Sequence, residues 1–396
     1  MKSLKVNNPI FILTVIVLSQ FCCTSLWFAS NAVLGDLILN FNLDRNALGH
    51  LTSSVQFGFI FGTLVFAVLT IADRFSAPKV FFINAILGAI FNVAIIWGSN
   101  TFISILILRF FTGFFLAGIY PVGMKIASDH FDKGLGKALG FLVGALVLGT
   151  AFPHFLNGFS QNIPWESVII TTSLLATFGG TIMIIFIPSI RKNSIQKLKL
   201  SAFIHVFENR KFRSAAFGYF GHMWELYAFW AFIPLILNTY KNFHPAVSFN
   251  IAFLSFSVIA IGSLGCIAGG YISLRLGVKR TAFLALLLSG ICCLCLPFII
   301  QFQSMPIFIG FLIFWGIMVV ADSPLFSTLV AQNAASEIKG TALTIVNCIG
   351  FSITIISIQL LSFLQFQFNS TYIYMILAIG PVLGLIALKR KGALSD

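Results

Sequence analysis

The 396-residue chain is 58% hydrophobic and only 9% charged, with 46 Phe. A soluble domain carries about 25% charged residues, so an ordinary water-soluble fold is excluded and lipid must be the solvent for most of the chain. Its 24 Lys and Arg against 11 Asp and Glu give a formal charge of +13, which suggests a polyanionic partner in a soluble protein and membrane orientation in one this apolar.

A helix crossing about 30 Å of hydrocarbon needs about 20 mainly apolar residues. Twelve such spans are predicted, at 10–34, 47–72, 80–98, 102–127, 138–158, 167–188, 214–237, 248–274, 281–301, 306–331, 342–364 and 371–388. Apolar runs near helix length, in place of short alternating strands, favour helices over a β-barrel. Lys2 and Lys5 ahead of the first run imitate a signal peptide, but the run is too long and lacks a small-residue cleavage site, so it reads as a retained span. In span 5, Pro153-His154 reads as a kinked helix end near the outer surface. Cys22, Cys23, Cys266, Cys292, Cys293, Cys295 and Cys348 all fall within spans and read as small packing residues, without disulfide or metal-site spacing.

With the N-terminus in the cytoplasm, 21 of the 24 basic residues fall on inside segments; Arg45 and Lys241 lie outside, and Arg109 lies within a span. That bias in short loops is a positive-inside signal, so both termini are expected in the cytoplasm of a bacterial inner membrane. Once the charge marks topology, nucleic acid drops out as a partner.

The longest polar interruption divides the chain into expected six-helix bundles at 1–188 and 214–396, joined by a basic cytoplasmic linker at 189–213. A repeat supports the division. Asp73-Arg74-Phe75-Ser76-Ala77-Pro78-Lys79 follows span 2, and Leu274-Arg275-Leu276-Gly277-Val278-Lys279-Arg280 follows span 8, at a separation of 201 positions. Parallel repetition of six spans suits two bundles rocking about a shared site.

With these residues in view, the whole chain resembles the major facilitator superfamily of secondary transporters. Asp73, Arg74 and Lys79 match the family's Asp-Arg-x-Gly-x-(Arg/Lys)-(Arg/Lys) loop, with Ser76 at the glycine position and Leu69 where a glycine usually precedes the Asp by four; the second copy keeps Gly277 and has Leu274 in place of the acid. Arg109, Gly113 and Gly118 are similar to its Arg-x-x-x-Gly-x-x-x-x-Gly pattern in span 4. The resemblance implies an all-α integral membrane fold of twelve transmembrane helices in two pseudo-symmetric six-helix bundles. It also implies a cavity lined by spans 1, 4, 7 and 10, and a gating role for Asp73, Arg74, Lys79, Arg275 and Gly277.

A charge at mid-bilayer costs about 2.5–3.5 kcal/mol on insertion scales, so each one needs a reason. Arg109, Glu225 and Asp322 lie inside spans 4, 7 and 10. His222 and Glu225 are three apart and share a helix face, so the imidazole is expected to hydrogen-bond Glu225 in a proton relay, with helix-to-helix adhesion as the plain alternative. For Arg109, holding the bundle together or assisting coupling weighs more than solute contact. Ser323-Pro324 after Asp322, and Tyr120-Pro121 in span 4, are expected to bend their helices. Asn31 is the preferred polar candidate in span 1 and Gln20 the second, while Tyr120, Trp224, Tyr227, Trp230 and Trp315 are candidates to stack on or hydrogen-bond a solute.

The Gly140–Gly149 stretch partly resembles the glycine-rich motif of drug antiporters, with Ala145 and Leu148 at two of its defining positions. Gly118-Ile119-Tyr120-Pro121-Val122-Gly123 looks like the nitrate/nitrite and cyanate porter branches, but spans 2 and 8 lack the arginines by which nitrate porters hold their anion. The expected function is therefore proton-coupled uptake of a small polar or anionic organic solute by alternating access. The alternative is proton-driven export of a drug or a secreted metabolite such as a siderophore. The expected partners are the solute, protons and the bilayer, with the protein monomeric and no cofactor or metal. An intramembrane enzyme is disfavoured, since the His222–Glu225 pair lacks His-Glu-x-x-His spacing and no nucleophile-base set accompanies it.

Overall fold

The computed structural model describes residues 8–44, 46–131, 135–159, 164–190, 206–335, 338–368 and 370–389, and in the stretch 135–137 the backbone alone. The basic residues Lys2, Lys5, Arg45, Lys133, Arg390 and Lys391, and residues 191–205 of the expected linker, lie outside the described residues.

Among the described residues the structure consists of helices and their connections, with no strand. Eleven helices are long and apolar enough to cross a membrane: Ala47–Val68, Ala77–Ile96, Phe102–His130, Ala138–Phe159, Trp165–Phe186, Arg210–Phe243, Ile251–Leu276, Val278–Ile299, Met305–Asn333, Lys339–Gln367 and Thr371–Lys389. They are spans 2 to 12. Lipid supplies no hydrogen bonds to the backbone, so every apolar run of this length closes its bonds internally as helix.

Span 1 departs from the single helix expected at 10–34. It is built of Pro9–Thr24, Ala29–Ala32 and Leu34–Phe41. Two hydroxyls compete with the helix where it breaks: Thr24 Oγ1 donates to the Gln20 carbonyl at 2.8 Å and Ser25 Oγ to the Cys22 carbonyl at 2.7 Å, back-bonding that weakens the ladder. The last piece ends at Asn42, which takes a left-handed conformation (φ 47°). In span 5 the helix continues through Pro153 to Phe159, and His154 is buried.

Spans 4 and 10 break where the Tyr120-Pro121 and Ser323-Pro324 pairs predict. Span 4 is Phe102–Leu116 then Tyr120–His130, and span 10 is Met305–Ala321 then Ser323–Asn333, with each proline in the first turn of the second half. A proline there needs no N–H donor and has a suitable φ already.

The chain divides into two compact units, Met1–Leu198 and Lys199–Asp396. In the first, spans 2 and 4 touch backbone to backbone: a Cβ on Gly58 would stand 1.9 Å from the Phe110 carbonyl oxygen, and one on Gly113 2.0 Å from that of Val55. The second unit repeats this seam between spans 8 and 10, where a Cβ on Gly316 would stand 2.2 Å from the Val258 oxygen and one on Gly269 2.6 Å from that of Ala321. Small residues at a membrane helix interface permit such close approach. Large side chains point the other way: Phe57, Phe61, Phe217, Phe298, Phe314 and Phe363 stand exposed, a surface suited to lipid and costly in water.

Candidate functional site

Span 7 is an unbroken helix of 34 residues, capped by Asn209, whose side chain accepts from the N–H groups of Lys211 and Phe212. It carries His222 and Glu225, both 1% exposed. The two do not pair with each other. His222 Nδ1 lies 2.8 Å from Asp322 Oδ1, an ion pair whenever the imidazole is protonated. Glu225 accepts from Trp315 Nε1 at 2.6 Å and from Ser289 Oγ at 2.9 Å. Spans 7 and 10 run antiparallel, so residue 225 meets 315 and residue 222 meets 322. Each side chain finds a partner on the neighbouring helix in place of the one three residues away, because a buried ionisable group needs close, well-directed partners.

The break in span 10 places Asp322 between the end of one half-helix and the start of the next. Asp322 Oδ2 and His222 Nε2 make no hydrogen bond among the described residues. The structure thus gathers His222, Glu225, Trp315 and Asp322 inside the second unit, with Ser289 completing the Glu225 environment. Ser289 was not singled out in the sequence, where its only signal is one hydroxyl after the apolar run Leu286-Leu287-Leu288.

The remaining span 7 aromatics have other occupations. Trp224 donates Nε1 to the Ile376 carbonyl at 3.0 Å, and the Tyr227 ring packs between Trp230 and Phe351, with centroids 5.1 and 5.2 Å away. The Trp315 ring also packs against that of Phe229, tilted by 46° at a centroid distance of 4.4 Å.

In the first unit, Arg109 is fully buried and its terminal nitrogens donate to the carbonyls of Leu26 (3.1 Å) and Trp27 (2.5 Å) and to Asn92 Oδ1 (3.2 Å). Asn92 in turn donates to Ile169, Thr172 and Ser173. Arg109 therefore ties the broken part of span 1 to spans 3 and 6. Asn31 Nδ2 donates to Thr52 Oγ1 at 2.7 Å. Gln20 is fully buried, and its Oε1 fills the place of a side chain at Gly123, where a Cβ would stand 2.5 Å away. Tyr120 opens the second half of span 4 and is half-buried.

At the end of span 2, Asp73 pairs with Lys125 of span 4 at 3.1 Å, and Lys125 also pairs with Asp129 at 3.3 Å. Arg74 Nε donates to Thr70 Oγ1 at 2.9 Å. Lys79 and Arg275 are exposed, and Gly277, with φ 84°, joins spans 8 and 9 in a conformation an L side chain rarely adopts.

A profile of the Major Facilitator Superfamily matches residues 16–358. The chain belongs to that superfamily. Members of this superfamily are multi-pass membrane transporters that act on small-molecule substrates. Among curated relatives, the Efflux pump FUB11 of Gibberella moniliformis is 28% identical over 205 residues, covering 48% of this chain and 34% of the relative. The chain thus spans about a third of the length of that relative. Among solved structures, the nucleoside transporter NupG superposes with a TM-score of 0.74 at 14% identity, covering 95% of this chain and 98% of that one. The human organic anion transporter MFSD10 superposes with a TM-score of 0.72 at 15% identity, covering 96% and 100%. Likeness at these identities concerns the fold.

Proposed function

We propose that this superfamily member is a proton-coupled importer of a small polar or anionic organic solute. It works by alternating access in a bacterial inner membrane, as a monomer with both termini in the cytoplasm. The observation that carries the reading is the pair of acids buried in one unit, Glu225 and Asp322, each with its own partner on a neighbouring span. A proton bound and released at such a group changes the net charge moved with the solute, and each elementary charge crossing the membrane is worth about 2.3 kcal/mol per 100 mV. Asp73, Arg74 and Lys79, with Arg275 and Gly277 in the second copy, serve as the gate that re-forms on each cycle.

The test is transport by proteoliposomes containing a pH dye, offered nucleosides, sugars, amino acids and carboxylates in turn. With a solute that the wild type accumulates, Glu225→Gln or Asp322→Asn abolishes the response to an imposed pH gradient. An unchanged response in both variants refutes the proton role.

Export is the second reading, favoured by the efflux relatives that match about half of the chain. Vesicles of known sidedness separate the two: import drives solute in with protons from the outer side, and export drives it out against them.

A further inference from the structure

The first unit contains a second group of buried polar atoms, distinct from the acids of spans 7 and 10. Along span 2, Thr52, Gln56, Phe59 and Thr63 follow one another at spacings of four, three and four, so they share a face. Two of them touch the interrupted part of span 1: Thr52 accepts from Asn31, and the Phe59 ring lies 4.9 Å from that of Trp27. Gln56 sits between them on the face turned to the break. It is 0% exposed, yet neither its Oε1 nor its Nε2 has a hydrogen-bond partner among the described residues. The same holds for Asn31 Oδ1, Ser30 Oγ and Thr63 Oγ1.

A buried amide without partners is costly, and this part of spans 1 and 2 holds several such atoms. A seam serving only to hold two helices together would pair them with each other or replace them with apolar residues. The hydrogen-bond network also fixes which Asn31 atom is free. Thr52 gives its proton to the Leu48 carbonyl at 2.7 Å, so its oxygen can only accept from Asn31 Nδ2, leaving Asn31 Oδ1 as a free acceptor. Gln56 adds one acceptor and one two-proton donor, whichever way its amide is turned.

We propose that Gln56 and Asn31 form a subsite for an uncharged part of the transported solute that presents a donor beside an acceptor. A carboxamide or the edge of a pyrimidine or purine base has this chemistry. A carboxylate fits poorly: it has no proton to give, and it would set its charge against the free carbonyl oxygens of Asn31 and Gln56. The proposal rests on the transporter reading and narrows its solute class.

The test uses the purified full-length chain and two matched pairs of probes, nicotinamide with nicotinate and uracil with orotate. Thermal unfolding is followed with and without each probe, in the wild type and in Gln56→Met. The uncharged member of at least one pair stabilises the wild type more than its carboxylate twin. Gln56→Met weakens that binding by about tenfold, the scale of one or two lost hydrogen bonds. Without any probe, Gln56→Met keeps or raises the unfolding midpoint, because it removes an amide that pairs with nothing.

Three results overturn the proposal: binding of neither uncharged probe, preference for the charged twin, or a lowered midpoint in probe-free Gln56→Met. Failure of the transporter reading looks different. The uncharged probe then binds in a Gln56-dependent way, but proteoliposomes do not move it.

Discussion

Trp315 donates its indole N–H to Glu225 across 2.6 Å, and neither side chain meets solvent. An aromatic singled out as a candidate solute contact is also a hydrogen-bond partner of a buried acid. Replacing it with Phe keeps the ring and removes the donor, leaving Glu225 Oε1 without that bond. Trp315→Phe is expected to cost about 1–3 kcal/mol of stability, measured by SDS-induced unfolding in mixed micelles. In a Glu225→Leu background, which has no acceptor for the indole N–H, the same change costs less. Equal costs in the two backgrounds would mean that the bond contributes nothing.

The His222–Asp322 pair makes a second prediction. Removing one member of a buried pair typically costs about 3–5 kcal/mol, whereas replacing both with apolar residues is often close to neutral. His222→Leu alone should therefore destabilise more than His222→Leu combined with Asp322→Leu. Unfolding of the three variants under one set of conditions checks the order.

Arg109 holds the carbonyls of Leu26 and Trp27, which the break in span 1 has released from the helix ladder. Arg109→Met should cost about 3 kcal/mol, since bonds from a charged donor are lost and the acceptors remain buried. Arg109→Lys should not restore the loss, because one ammonium cannot reproduce the spread of a guanidinium fork. Hydrogen exchange at residues 24–32 locates the effect: protection there falls in both variants.

Asp73 and Lys125 are partly exposed, with side chains 30% and 25% accessible, and water screens their attraction. Asp73→Asn is expected to change stability by no more than about 1 kcal/mol. If the pair belongs to a gate, the variant lowers the transport rate far more than it lowers stability. A rate that falls only in proportion to the folded fraction would assign the pair to packing alone.

Much of the fold could be read from the chain because lipid leaves the backbone few choices. Long apolar runs become helices wherever they occur, and Tyr120-Pro121 and Ser323-Pro324 mark the interruptions that form in spans 4 and 10. The break in span 1 was hidden because Thr24 and Ser25 are common inside membrane helices, and only their hydroxyl bonds to preceding carbonyls reveal the competition. The charged members of the site were conspicuous, since charge is rare in a span. Their partners were not: helix spacing placed His222 beside Glu225, whereas the antiparallel register of spans 7 and 10 set each against a residue about 100 positions away. Ser289, Asn92 and Gln56 gave still less signal, being single polar residues in apolar helices whose importance lies in what faces them.

The glycine seams bear on how such a molecule can move. Where Gly58 and Gly113 join spans 2 and 4, and where Gly269 and Gly316 join spans 8 and 10, main chain rests on main chain, and at those points no side chain intervenes whose rotamer could be reset. Each joined pair therefore behaves as a single stiff beam. Sliding along it would force peptide groups into one another, so rearrangement must use other seams, where side chains separate the helices and can repack. The least conspicuous residues in the sequence thus determine which helices travel together.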